Sequence, residues 1–324
     1  MPRGKAYRYC LLLLFIVFIS SVSFNSPGAQ WNATAGADPY IVVLGIAQDG
    51  GYPQAGCKKA CCKRAWDSTS LKRSVSCLAL VDPVSKEQWI FDATPDFKEQ
   101  LHQLQKTAIS EFKTEITGIF LTHGHIGHYV GLMDLGREVM GAKNIPVYAM
   151  PRMKEFLSKN GPWSQLVSLN NIVLMPIAND STIKLNSRIS ITPFLVPHRD
   201  EFTETVGYKI TGPGKSVIFI PDIDKWEKWK TNILELVKKT DILFLDGTFF
   251  QNGELPGVDM TQIPHPFISE SMELFKSLSP ADKAKINFIH FNHTNPVLVE
   301  EGEPYKQVID AGFKIAKEMQ VIKL

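Results

Sequence analysis

Three histidines fall within the six residues 123–128, in the string Thr122-His123-Gly124-His125-Ile126-Gly127-His128. The stretch before them, residues 116–121 (ITGIFL), is mostly apolar and reads as a buried strand. The histidines therefore leave the carboxyl end of that strand. His123 and His125 are two apart, so in an extended loop their imidazoles converge on one point. His128 comes three later, on a helix beginning to form. Neutral imidazole is the commonest metal ligand at physiological pH. A polar loop of solvated histidines is the competing reading, but clustered histidines at ligand spacing behind a strand signal a metal far more strongly than a lone one.

Other chemistry-bearing residues sit at similar places. His198 closes the run at 191–197, Asp222 follows 217–221 and Asp246 ends 242–245. His290 follows 286–289, and His265 sits in the loop string IPHPF at 263–267. Asp224 and His293 lie two and three residues beyond Asp222 and His290. Open α/β architectures place ligand sites at the carboxyl ends of strands. Taken singly, Asp246 also reads as a turn cap and His265 as a loop histidine, while Asp224 and His293 read equally as structural residues, since only one residue of each neighbouring pair fits the pattern.

The segment 123–128 resembles the H-x-H-x-D-H signature of the metallo-β-lactamase superfamily, with Gly127 where the signature has aspartate. The resemblance implies an α/β fold, a four-layer αββα sandwich, over residues 40–324. Two strand-rich halves, each with helices, fit it. It also implies a first metal held by His123, His125 and His198, a bridging Asp222, and second-metal ligands His128 and His290. His265 and Asp246 match the accessory histidine and acid of the ribonuclease Z-like branch. Within the superfamily, residues 40–300 or so more closely resemble the pyrroloquinoline quinone biosynthesis protein B branch. The strings LGIAQDGGYPQ at 44–54, DATPDF at 92–97, FLDGT at 244–248 and IHFNHTNP at 289–296 carry that likeness, in order.

Zinc on three histidines and a water is a catalytic arrangement that lowers the pKa of the water to ~7. The expected activity is metal-dependent hydrolysis, metal-bound hydroxide attacking an ester, lactone or phosphodiester. In this reading Asp222 orients or bridges and His265 assists the leaving group. Without a carboxylate at 127, the second ion keeps His128, Asp222 and His290, so one tight zinc and a weak or absent second ion are expected. Two histidines and a carboxylate are also the iron facial triad. An iron-dependent oxygenase, or a quinone-cofactor biosynthesis or carrier protein, is the alternative.

Cys57, Cys61 and Cys62 cluster, and a structural zinc on these thiolates needs a fourth ligand, for which His293 and His265 are the candidates. A free or disulfide-bonded cluster is the other reading. At the amino terminus, a basic stretch to Arg8, an apolar run from Cys10 to Phe24 and small residues to Ala29 form a secretory signal pattern. Residues 1–29 are read as signal peptide and 30–39 as linker, giving a secreted or periplasmic protein with its mature start between Phe24 and Gln30. The apolar run falls short of the ~20 residues of a spanning helix, so no stable membrane span is expected after cleavage; a retained anchor is the alternative. The chain carries a formal charge of +2, and removing Arg3, Lys5 and Arg8 with the signal leaves −1. With no basic run elsewhere, a small-molecule substrate rather than nucleic acid is expected.

Overall fold

The computed structural model describes Met1, residues 38–107 and residues 116–324. The signal and most of the linker lie outside the described residues. The chain divides into two units, Met1–Asn32 and Ala33–Leu324. Among the described residues no helix is long and apolar enough to cross a membrane.

The second unit begins with β1 (Tyr40–Gly45), followed by β2 (Cys77–Asp82), β3 (Glu87–Phe91), β4 (Gly118–Phe120), β5 (Ile145–Ala149) and β6 (Ile172–Pro176). Then come β7 (Ile183–Lys184), β8 (Ser190–Leu195), β9 (Val206–Thr211), β10 (Ser216–Ile220), β11 (Ile242–Asp246), β12 (Ile286–Ile289) and β13 (Lys314–Ile315). Finally β14 (Val321–Lys323) returns to the edge of the first sheet. The sheets run β14-β1-β2-β3-β4-β5-β6 and β13-β12-β11-β10-β9-β8-β7. The expected αββα sandwich is what forms.

The apolar runs explain the layering. In β1, Ile41 and Val43 join the core shared by both sheets, where Phe91, Phe120, Tyr208, Phe219 and Phe288 meet. Val42 and Leu44 point the other way and pack with Phe97, Leu101 and Leu104 of the helix Phe97–Thr107. Side chains alternate faces along a strand, so a strand covered on both faces reads as a continuous apolar run. Phe120 stacks between Phe91 and Tyr148, at 5.2 and 4.2 Å between ring centroids.

Three helical expectations differ from the structure. The apolar pattern predicts one helix from Tyr129 to Met140, but a short α-turn, Ile126–Tyr129, passes into a 3₁₀ segment, Val130–Leu135. Gly131 explains the break, because a Cβ there would lie 2.2 Å from the Thr94 carbonyl oxygen and its N–H bonds the Ala93 carbonyl. The residue pattern over 304–319 reads as one helix, but the helix stops at Asp310, because Gly312 turns the chain with φ +92 into β13. The residue pattern over 269–277 reads as a helix with Ser269 as its N-cap, but the helix runs Ile268–Leu274 and is capped at Phe267, whose N–H donates to the Glu270 carboxylate at 2.9 Å.

In both sheets the parallel strands aim their carboxyl ends at one rim. β3 and β4 are parallel, as are β10, β11 and β12. The segment after β1 reaches the same rim. Its Ala47 forms a parallel bridge to Phe291, just beyond β12, and Gln48 N–H donates to the Phe291 carbonyl at 2.8 Å.

Candidate metal centre

The fold brings His123, His125, His198 and Asp222 into one group whose facing ring nitrogens and carboxylate oxygen all lie within 4.8 Å of one another. Asp222 lies 3.4 Å from His123 Nε2 through Oδ2 and 3.4 Å from His198 Nε2 through Oδ1. Its Oδ2 also lies 3.7 Å from His128 Nε2 and 3.9 Å from His290 Nε2. The Asp222 carboxylate thus faces both histidine sets. Asp224 instead pairs with Lys228 at 2.7 Å.

Hydrogen bonds orient the rings. The Asp92 carboxylate takes His128 Nδ1 at 2.7 Å and also accepts from Thr122 N–H at 2.8 Å and Thr122 Oγ1 at 3.0 Å. Thr248 Oγ1 donates to Asp246 Oδ1 at 2.7 Å and accepts from His290 Nδ1 at 2.9 Å. In both histidines Nδ1 is therefore spoken for and Nε2 faces inward, the arrangement that fixes the tautomer of a ligating imidazole. His125 shows the converse: Glu201 Oε2 lies 3.1 Å from Nε2, and Nδ1 lies 2.8 Å from His123 Nε2.

Several inward atoms are buried with no hydrogen-bond partner: His128 Nε2, His290 Nε2, both ring nitrogens of His198, Asp222 Oδ1 and Asp49 Oδ1. Buried polar atoms without partners are rare in folded proteins and costly. Nitrogen and oxygen donors of this kind, facing one another, suit a divalent ion such as zinc. Backbone geometry adds to the pattern, since Asp92 and His290 hold positive φ of 69° and 67°. Strain of this kind clusters at functional sites.

Electrostatics divides the histidines. Burial and the neighbouring rings hold His123 and His198 well below the ordinary imidazole range and push His290 down to about 3. These rings are neutral, as ligands must be. Burial alone would lower His265 too, but Asp246, at 2.8 Å, and Asp222, at 3.1 Å from Nδ1, hold it up at about 9. Burial raises the Asp222 carboxyl to about 7.

Sequence reasoning missed four side chains here. Asp92 and Thr248 lie inside the strings 92–97 and 244–248, and the charged loop 199–204 holds Glu201. The fourth is Asp49, in the string 44–54. Its Oδ1 lies 3.4 Å from His128 Nε2, and Asp49, His128 and His290 form a second candidate metal group. Asp49 thus adds a carboxylate beside His128, Asp222 and His290 that the sequence reading did not count. The reason is tertiary: the loop after β1 is bridged to the chain beyond β12, which carries His290.

The cysteines gather separately. Cys62 Sγ lies 3.2 Å and Cys61 Sγ 3.6 Å from His293 Nδ1, and Cys57 Sγ lies 3.8 Å from Cys61 Sγ. All are free thiols, so a disulfide-bonded cluster is not what forms. Of the two fourth-ligand candidates, His293 joins them, while His265 belongs to the other centre.

Residues 88–291 match the beta-lactamase superfamily domain, and the chain belongs to that superfamily. Among curated proteins it is similar to coenzyme PQQ synthesis protein B of Xanthomonas axonopodis pv. citri, 25% identical over 86% of this chain and 97% of that one. The Methylorubrum extorquens protein of the same name is 26% identical over 86% and 98%. Among solved structures, zinc-bound PqqB from Methylobacterium extorquens superposes with a TM-score of 0.72 at 25% identity, covering 88% of this chain and all 100% of that one. A diphosphatase of the PhnP family shares the fold, with a TM-score of 0.63 at 22% identity over 88% and 97%.

Proposed function

We propose that this protein is an exported metal-dependent hydrolase of small ester, lactone or phosphodiester substrates. The observation that carries this reading is the set of buried, unpartnered ring nitrogens and carboxylate oxygens around Asp222. His123, His125 and His198 with Asp222 would hold one divalent ion, and His128 and His290, sharing Asp222, a second. Ions held there supply Lewis acidity and a water acidified to near neutrality. The protein's own groups do the rest. Asp92, Thr248 and Glu201 fix the rings, and Asp222 orients whatever lies between the two histidine sets. His265, held through Nδ1 by Asp246, carries a proton to the leaving oxygen.

The test is zinc analysis of purified protein followed by hydrolysis assays on a p-nitrophenyl ester, a lactone and bis-p-nitrophenyl phosphate. At least one substrate should turn over, and His265→Asn should lower kcat by roughly 10²–10⁴, the worth of a positioned acid, with metal content unchanged. A zinc-loaded protein inert across the panel would end the hydrolase reading.

A second reading rests on two specific observations. The curated relatives share the name coenzyme PQQ synthesis protein B, and His128 and His290 with one carboxylate have the composition of a non-haem iron triad. Oxygen uptake by iron-loaded protein, with the panel silent, would favour an oxygenase or a role in quinone-cofactor biosynthesis. Export rests on the amino-terminal pattern. The mature chain should begin between Phe24 and Gln30, and recovery of intact Met1 from a cytoplasmic fraction would refute it.

A further inference from the structure

We infer that Asp49 is a metal ligand of this centre, delivered by the loop after β1 to the place left by the side chain that Gly127 lacks. The inference rests on the metal-centre reading above and names a ligand outside the histidine signature.

Gly127 is not an empty position. A Cβ there would lie 2.0 Å from Asp49 Oδ1, 2.8 Å from Asp49 Cγ and 2.6 Å from Asp49 Cα. The carboxylate of Asp49 therefore occupies the space into which a residue-127 side chain would start. Asp49 Oδ1 is buried without a hydrogen-bond partner and points to His128 Nε2, which also has none.

The loop is held rather than loose. Ile46 and Ala47 N–H both donate to the Ser74 carbonyl at 2.9 Å, and Phe291 N–H donates to the Ile46 carbonyl at 2.8 Å. The Asn292 carboxamide donates to the Gln48 side chain. Asp49 is thereby tied to the segment that carries His290.

The charge distribution gives this a consequence. Without Asp49 the two histidine sets share one carboxylate, Asp222. With it, the set of His128 and His290 has an anionic donor of its own, and metal affinity follows the charge and number of ligands. The rival role is an ion pair between Asp49 and a protonated His128, whose Nδ1 is held by Asp92 in either case; the two roles differ in whether zinc binding depends on Asp49.

The experiment titrates metal-stripped full-length protein with zinc, comparing wild type, Asp49→Asn, Asp49→Ala and His290→Ala, all with the cysteine cluster intact. Melting is followed in chelator and in zinc. Wild type should take up two zinc ions beyond the cysteine-bound one. Asp49→Asn should bind the second at least tenfold more weakly, since even an outer-shell partner is worth 10–100-fold, and should match His290→Ala. Its melting temperature in chelator should stay near wild type, with a smaller rise in zinc. Asp49→Asn is isosteric, so it decides the matter if Asp49→Ala does not fold. Unchanged stoichiometry and affinity in Asp49→Asn, with His290→Ala still losing an ion, would overturn the role of Asp49 alone. So would a melting loss confined to the chelated protein, which marks the ion pair. A wild type that takes zinc only at the cysteines would overturn the metal-centre reading itself.

Discussion

Gly127→Ala adds a single methyl group to the centre. The new Cβ would sit 2.0 Å from Asp49 Oδ1 and 2.6 Å from Asp49 Cα. Non-bonded carbons rest at about 3.5–4.0 Å, so the loop after β1 must retreat by about 1 Å. A rotamer change of Asp49 could move Oδ1 but not the backbone Cα, so it does not relieve the clash. Overpacking of this kind costs about 1–3 kcal/mol. At roughly 2–4 °C per kcal/mol for domains of 150–250 residues, the melting temperature should fall by roughly 2–12 °C. The assay is thermal unfolding by circular dichroism in chelator. Gly214→Ala is the control, since the nearest atoms to its new Cβ would be 3.8 and 3.9 Å away, and it should melt with wild type. Asp49→Gly combined with Gly127→Ala removes the clashes with Oδ1 and Cγ but leaves the one with the backbone of residue 49, so it should recover part of the loss. Gly127→Asp, which from sequence alone looks like a way to fill the second metal site, should instead destabilise the protein and lower zinc occupancy. If Gly127→Ala melts at the wild-type temperature, Asp49 does not pack on Gly127 and the steric argument fails.

Glu318 gives a pH prediction away from the metal centre. Burial raises its carboxyl from the ordinary 4.5 to about 7, against a 2.6 Å hydrogen bond from Ser74 N–H. The folded state thus holds a proton that the unfolded chain releases. This group's contribution is fully present below about pH 4.5 and is lost as pH rises to about 7, by on the order of 3 kcal/mol. Glu318→Gln should therefore unfold at a higher temperature than wild type at pH 8 and at the same temperature at pH 4; an equal gain at both would refute it. Cys62→Ser should lose one zinc equivalent that His198→Ala retains, measured by atomic absorption. Because burial pushes the Cys62 thiol up to about 12, zinc uptake at this cluster should release protons. Equal zinc content in Cys62→Ser and wild type would rule out a cysteine site. Asp92→Asn keeps the shape and tolerates the positive φ but loses the charge behind His128 Nδ1, so the second zinc should bind 10–100-fold more weakly. Unchanged affinity would show that Asp92 does not tune this ring.

Whatever depends on neighbours along the chain was legible in the order of residues. Apolar runs such as those of β1, β10, β11 and β12 announced strands buried on both faces, and with them the layered α/β class. The histidine spacing at 123–128 announced a converging set, because two residues of extended chain and one short turn leave little freedom. Short elements gave no signal. β7 and β13 have two residues and β14 three, too few for a period of two to register. Gly131 ended a predicted helix for a reason written 37 residues away, at the Thr94 carbonyl. The supporting carboxylates were hidden in the same way. Asp92 and Thr122 are 30 positions apart, as are His125 and Glu201 by 76, and an acidic residue in a turn looks the same whether it caps a loop or fills a metal site. That Gly127 faces a carboxylate from the loop after β1, three strands away from β4 in the first sheet, follows only from the folded chain. A missing side chain is local information, but what occupies its space is set by how two distant strand ends pair.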